Sequence, residues 1–436
     1  MKYKWIIILT VIVVIALLMG MFSGFFGQNF TLGLINRKPV VTITYPTDGT
    51  TIARLVMISG TASDPDEEDN ISRVEVKIGE NNWTTATGTT LWSYDWTTYT
   101  TQNGGYTINV RSYDGKEYSA IQSIILTVNN PASKDSDSHK WAIFIAAANF
   151  PKENDTKLGN GGLYLAEDMA AYLIENTQYP TTNIMILFDD GWIRSDNGYG
   201  TKEKTLQERS HDYDIAYGSA TKANVLASLK YLINESNTYP DSEVFLWIFN
   251  HGAGNMDKPL TGGKILQNSE IFLWDDTMTD RALGDILTPL ESKKVTVLVD
   301  ACYAGGFADR TIFNLRTSLF LRSGIPRDGR VVISGTSKFR TGYASTTQGP
   351  IFSLLWFEGL SSGKADGFKP GLFDRGVLRN LKTFQDGKVS VEEAFYYARY
   401  QLRTDEKNQD FKPMQPQIND KYPHRGVLRN RGELIL

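Results

Sequence analysis

Val295-Thr-Val-Leu-Val-Asp-Ala-Cys302-Tyr-Ala-Gly-Gly306 is the stretch that decides the fold. A short apolar or β-prone run leads into the only cysteine of the chain, and glycines follow almost at once. Such a run, bounded by turn residues, reads as a buried strand. A second segment of the same design lies upstream, where Val244-Phe-Leu-Trp-Ile-Phe249 leads into Asn250-His251-Gly252. Each strand delivers one reactive side chain at its end. In an open parallel sheet, residues just past the carboxyl ends of neighbouring strands converge on one crevice. A thiol and an imidazole brought there are the parts of a cysteine nucleophile and its acid/base partner.

Working outward, the pattern from Trp141 onward alternates strands with helices. Strands are predicted at 141–148, 184–188, 244–249, 295–299 and 331–334. Helices are predicted at 162–176, 221–235, 281–290, 350–361 and 390–403. This is an α/β domain with a parallel-sheet core flanked by helices. The stretches 189–220 and 253–280 are rich in Gly, Asp and Asn and read as loops around the cleft.

Before this domain the pattern is all-β. Val41-Thr-Ile-Thr, Val56-Met-Ile-Ser-Gly, Val74-Glu-Val-Lys-Ile, Trp92-Ser-Tyr-Asp-Trp, Tyr106-Thr-Ile-Asn-Val-Arg and Ile124-Ile-Leu-Thr-Val alternate with period two, with turn residues between them. Short strands at this density predict an immunoglobulin-like sandwich over 39–130. The polar segment 129–138 reads as a linker to the α/β domain, predicted over 139–425.

Residues 1–27 stand apart. Trp5 to Phe26 carries no charge, and Lys2 and Lys4 precede it. That length suits a membrane-spanning helix with the amino terminus inside and the body outside. A cleaved signal peptide is the other reading, but no clean small-x-small site follows the apolar stretch. Both readings export the body.

The 436 residues exceed one ordinary core, so more than one domain is expected. With 41% hydrophobic and 22% charged residues the chain is globular in composition. A net charge of −4 argues against a nucleic-acid partner held by bulk charge. One cysteine excludes an intrachain disulfide and a cysteine-cluster zinc site. The four histidines stand at no ligand spacing to one another, so no histidine metal site is expected, and no organic cofactor is implied. "LKTFQDGKVSVEEAF" has a partial calcium-loop pattern, but Lys382 and Phe384 occupy the positions where acids are required. The acidic run 63–70 reads as a solvated turn, with a calcium site as the alternative. Five Asn-x-Ser/Thr triplets permit glycosylation but recur by chance.

"IFNHGAG" and "LVDACYAGGF" resemble the His-Gly and Ala-Cys blocks of the peptidase clan that holds caspases, metacaspases, clostripain and legumain. His251 and Cys302 are 51 positions apart, near the about 50 expected of caspase-type enzymes. "WAIFIAAANF" is similar to the first strand of legumain-like enzymes. "GPIFSLLWFEGLSSGKAD" and "DGKVSVEEAFYYA" resemble the tail of prokaryotic caspase-like domains. "PVVTITYPTDGTTI" and "YTINVRSYDG" resemble bacterial and archaeal immunoglobulin-like surface modules.

The resemblance implies roles. Cys302 is the nucleophile and His251 the acid/base; the alternative for a lone cysteine is an inert buried thiol. The backbone N–H groups of Gly252 and Cys302 are the implied oxyanion donors. Asn149 either orients His251 or is a turn asparagine at a strand end. Asp300 stands two residues before Cys302, so in a strand it points to the same side. It either lines the primary specificity pocket, implying substrates with Arg or Lys at P1, or is a structural carboxylate tied to the turn. The arginine-rich interval 309–330 is a candidate for self-cleavage. The expected protein is a membrane-anchored, extracytoplasmic cysteine endopeptidase acting on protein or peptide substrates. The alternative is a non-catalytic surface adhesion or scaffold protein whose caspase-like domain only binds.

Overall fold

The computed structural model describes residues 36–66, 70–130, 138–150, 157–253, 267–311, 315–317, 319–370, 377–378, 384–423 and 432–436. The apolar stretch within 1–27 lies outside the described residues. Among them, no helix is long and apolar enough to cross a membrane.

The first body is a two-sheet sandwich. Val40–Tyr45, Leu55–Ser63 and Leu91–Thr97 form one antiparallel sheet. The other runs in the order Thr51–Ile52, Gln122–Val128, Gly104–Tyr113, Arg73–Ile78, Thr84–Thr85. Alternation does the sorting: in Arg73–Ile78 every second side chain is buried. Val74, Val76, Ile58, Ile108, Val110, Leu126 and Trp92 meet between the sheets. In the acidic turn, Asp66 accepts from the Arg37 Nε at 2.7 Å.

The second body is built on a seven-stranded sheet. Its order is Ala216–Gly218, Ile184–Phe188, Lys140–Ala147, Glu243–Asn250, Lys294–Asp300, Arg330–Ser334, Gln417–Asp420. All neighbours are parallel except the last pair. The apolar runs are continuous because both faces are covered. Successive residues of one strand serve the two covers in turn. Phe144 and Ala146 pack with the helices Gly161–Thr177, Ile351–Ser361 and Val391–Thr404. Ile143 and Ile145 pack with Lys222–Ser236 and Asp280–Ile286.

Two expectations are corrected. The stretches 189–220 and 253–280 are not loops alone. They carry short hairpin strands, and Ala216–Gly218 forms an edge of the main sheet. The other edge, Gln417–Asp420, has too little apolar character to stand out in sequence. The helix expected at 281–290 is shorter, Asp280–Ile286.

The sandwich is fastened to the second body. Trp192 Nε1 donates to Ser93 Oγ at 3.1 Å. Tyr99 OH and Ser228 Oγ lie 3.0 Å apart, and the Tyr99 ring stacks on Tyr231 at 4.3 Å. Ser219 Oγ donates to Asp95 Oδ2 at 2.5 Å. Leu55 of the sandwich belongs to the core of the second body.

Candidate active site

The histidine strand (Glu243–Asn250) and the cysteine strand (Lys294–Asp300) are adjacent and parallel. Phe249 pairs with Asp300, so the ladder has the same offset as the pair His251 and Cys302. The spacing of the two residues is therefore a statement of register. It brings both chains out of the sheet level with each other, with neighbouring strands about 4.8 Å apart. His251 and Cys302 are both half-buried.

Gly252 follows the histidine and lies against the backbone of Cys302. A Cβ built on Gly252 would stand 2.0 Å from the Cys302 carbonyl oxygen and 3.0 Å from its nitrogen. Only glycine permits that approach. Gly252–Ala253 also begins a three-stranded antiparallel sheet with Glu270–Phe272 and Thr277–Thr279. Its ladder bond runs from Phe272 N–H to the His251 carbonyl at 2.9 Å. Gly252 itself therefore faces Ile271 as a non-hydrogen-bonded pair, and its N–H points away from that strand.

The turn after the cysteine is pinned on several sides. Gly342 N–H donates to Cys302 Sγ at 3.2 Å. Tyr303 takes a left-handed conformation, φ 61°, and its N–H donates to Arg340 O at 2.8 Å. Ser269 Oγ donates to Tyr303 O and accepts from Gly306 N–H at 3.0 Å. Asp280 holds Ser269 through its N–H at 2.9 Å. Burial pushes the Asp280 carboxyl up to about 6.

A cleft of about 600 Å³ opens beside these groups, lined by Phe150, Lys157, His251, Gly252, Trp274 and Cys302 among others. Phe150 stacks on Trp274 at 5.5 Å and lies 5.9 Å from the His251 ring. Arg194 covers Trp274 at 4.9 Å. A second, small pocket also touches His251 and Cys302 and is lined further by Leu158, Phe249, Asp300, Ala301, Tyr343 and Ala344. Its volume, about 30 Å³, suits a water rather than a side chain.

Asp300 thus lines a pocket next to the cysteine and is also tied down. Its Oδ2 accepts from Ser353 N–H at 2.9 Å and from Ser353 Oγ at 2.8 Å. Burial pushes its carboxyl up to about 6, against the opposing effect of these two bonds.

Asn149 does not orient His251. Its Nδ2 donates to Asp189 Oδ2 at 2.8 Å and to Asn160 Oδ1 at 3.2 Å, and its Oδ1 accepts from Gly159 N–H at 3.0 Å. Asp189 is itself fully buried, its carboxyl pushed up to about 7 by burial and drawn back by Arg194. Asn149 is therefore a strand-end asparagine in a buried polar network, one of the two readings its sequence position allowed.

Gly342 and Trp274 carried no sequence signal for the site and reach it through distant contacts rather than a motif. Phe150 and Ser353 lie within the quoted blocks, which assigned them no role. Among the described residues, no group of three or more His, Cys, Asp and Glu is placed to hold a metal ion.

Among solved structures, the chain is similar to caspase-1 from Spodoptera frugiperda at 10% identity, over 65% of this chain and 86% of that one, with a TM-score of 0.34. It is similar to the fibronectin(III)-like modules of Clostridium thermocellum CbhA at 25% identity, over 22% of this chain and 48% of that one, with a TM-score of 0.19. An endo-β-1,4-mannanase from Thermotoga petrophila matches at 19% identity, over 23% of this chain and 22% of that one, with a TM-score of 0.19. No curated protein matches the chain. Residues 39–110 match the bacterial Ig domain family, which agrees with the sandwich observed there.

Proposed function

We propose that the chain is a cysteine endopeptidase of the caspase and legumain type, acting through Cys302 and His251. The observation that carries this reading is the level exit of the two residues from adjacent parallel strands into one cleft. His251 takes the Cys302 thiol proton as the sulfur attacks the scissile carbonyl carbon. The oxyanion that forms is held by the N–H groups of Gly252 and Cys302. His251 passes a proton to the departing amine, the C–N bond breaks, and a thioester remains. His251 then takes a proton from water, whose oxygen attacks the thioester; the acid product leaves and the thiol is restored.

Asp300 at the wall of the small pocket supports a preference for Arg or Lys at P1. The pocket has to widen before such a side chain enters. Lys2 and Lys4 ahead of the uncharged stretch Trp5 to Phe26 support a membrane-held chain with its catalytic body outside. The test is a peptide library and a thiol-reactive peptide probe applied to wild type and Cys302→Ala. Hydrolysis and labelling by wild type alone are expected. Neither with wild type would leave a binding scaffold as the better reading.

A further inference from the structure

The seam between the sandwich and the second body holds a half-open pocket of about 340 Å³, a size usual for small-molecule sites. It is separate from the cleft at Cys302 and shares none of its lining. Its walls come from both bodies. Ile52, Leu55 and Val56 belong to the sandwich, and Ile215 and Ala216 to the edge of the seven-stranded sheet.

Arg54 lines this cavity and is 5% exposed. Its backbone is fixed on both sides. Its N–H donates to Asn130 Oδ1 at 2.8 Å, and its carbonyl accepts from Thr98 N–H at 2.6 Å. With φ at 62° it holds a conformation that side chains rarely adopt. Its guanidinium reaches across the seam and donates from Nη1 to the Thr182 carbonyl. No carboxylate lies within ion-pair distance of it among the described residues, and its buried Nε has no hydrogen-bond partner. A buried charge left so is costly unless something pairs with it. Gln207 stands on the same cavity with the opposite deficit. Its Nε2 donates to Tyr217 O at 2.6 Å, while its buried Oε1 accepts nothing. Asp214 is exposed on the wall and adds a negative charge.

We propose that this cavity binds an amino-acid-sized zwitterion. Its carboxylate pairs with Arg54, and its ammonium is placed between the Gln207 acceptor and the Asp214 charge. The apolar wall accounts for an organic ligand, since a bare inorganic anion would leave that surface in contact with water. Such a ligand ties the sandwich to the second body, because its partners come from both. The proposal stands independently of the peptidase reading.

The test uses the full chain. Thermal unfolding is followed with a pool of common amino acids, the matching pool of amino-acid amides, and sodium sulfate. The acid pool should raise Tm, whereas the amides, lacking the carboxylate, should not. Arg54→Gln should keep or raise Tm without ligand, because it removes an unpaired buried charge. It should also abolish the shift. Gln207→Leu keeps Arg54 and should weaken binding of the active pool member roughly tenfold, read by calorimetry. A shift with sulfate alone would assign the site to an inorganic anion and overturn the proposal. No shift with the acid pool, or an equal shift in Arg54→Gln, would overturn it as well.

Discussion

Gly252 and Cys302 touch through their backbones: the α-carbon of the glycine faces the cysteine carbonyl so closely that a methyl group would stand 2.0 Å from the oxygen. This contact makes the residue after the histidine part of the seat of Cys302. Under the proposed reading it keeps the N–H groups of Gly252 and Cys302 in one small region, as an oxyanion site requires.

Gly252→Ala keeps the N–H but its methyl has no room against the Cys302 carbonyl and must push that N–H out of place, so kcat/KM should fall by roughly 10²–10³, the cost of one lost oxyanion donor. The sheet beneath is untouched, so circular dichroism should stay near wild type. Steady-state kinetics on a cleaved peptide decides it; an Ala variant with wild-type turnover would remove Gly252 from the catalytic groups.

Cys302→Ala and His251→Ala should each abolish hydrolysis, and the double variant should be no worse than either. Residues that act as a unit are not additive in their effects. Independent losses that multiply in the double variant would mean that the two side chains do not share one step.

Substrates with Arg or Lys at P1 should be preferred by about tenfold to a hundredfold over Asn or Asp, the worth of a charge-assisted contact. Asp300→Asn should erase that preference. Burial places the Asp300 carboxyl at about 6, so it is ionised above that pH and neutral below. Cleavage after basic residues should fall as pH drops through about 6, beyond any loss shared with neutral substrates. The same raised value makes the contribution of Asp300 to stability fullest below the ordinary carboxylate value, about 4. That contribution is lost as pH rises through about 6. A pH profile identical for basic and neutral P1 substrates would exclude Asp300 from the specificity pocket.

Self-cleavage after the nucleophile, if it opens the small pocket, should be selective among the arginines of 309–330. Arg316, Arg322 and Arg327 are exposed. Arg330 is buried and donates to the carbonyls of Ile325, Leu287 and Leu290, and Arg310 donates to Ile418 O. Leu315, Leu319 and Phe320 are exposed in the same interval. Incubated wild type should yield new amino termini after Arg316, Arg322 or Arg327 and none after Arg330, with Cys302→Ala intact. A single uncut chain of full activity argues against this switch.

Six of the eight described sandwich strands, all but Thr51–Ile52 and Thr84–Thr85, and the five central strands were legible in the sequence for one reason. A strand covered on one face alternates, and a strand covered on both faces is apolar throughout. Lys140–Ala147, Glu243–Asn250 and Lys294–Asp300 are of the second kind. Their ends could be read as well, because Asn250-His251-Gly252 and Cys302-Tyr-Ala-Gly305 break the apolar run at once. The two edges of the sheet were not legible. Ala216–Gly218 spans only three residues, and Gln417–Asp420 is mostly polar.

The sequence by itself determined the two fold classes, their order, and the positions of Cys302, His251 and Gly252 at strand ends. These depend on patterns local to a few residues. Tertiary structure alone decided the rest. It tied Asp300 to Ser353, bound Asn149 to Asp189 instead of His251, and set Gly342 against the Cys302 sulfur. It also left Arg54 facing the seam between the bodies. A polar side chain in the interior takes whichever partner the packing brings within reach. Those partners stand 40 to 53 residues away for Asn149, Cys302 and Asp300 and 128 for Arg54, where no local pattern records them.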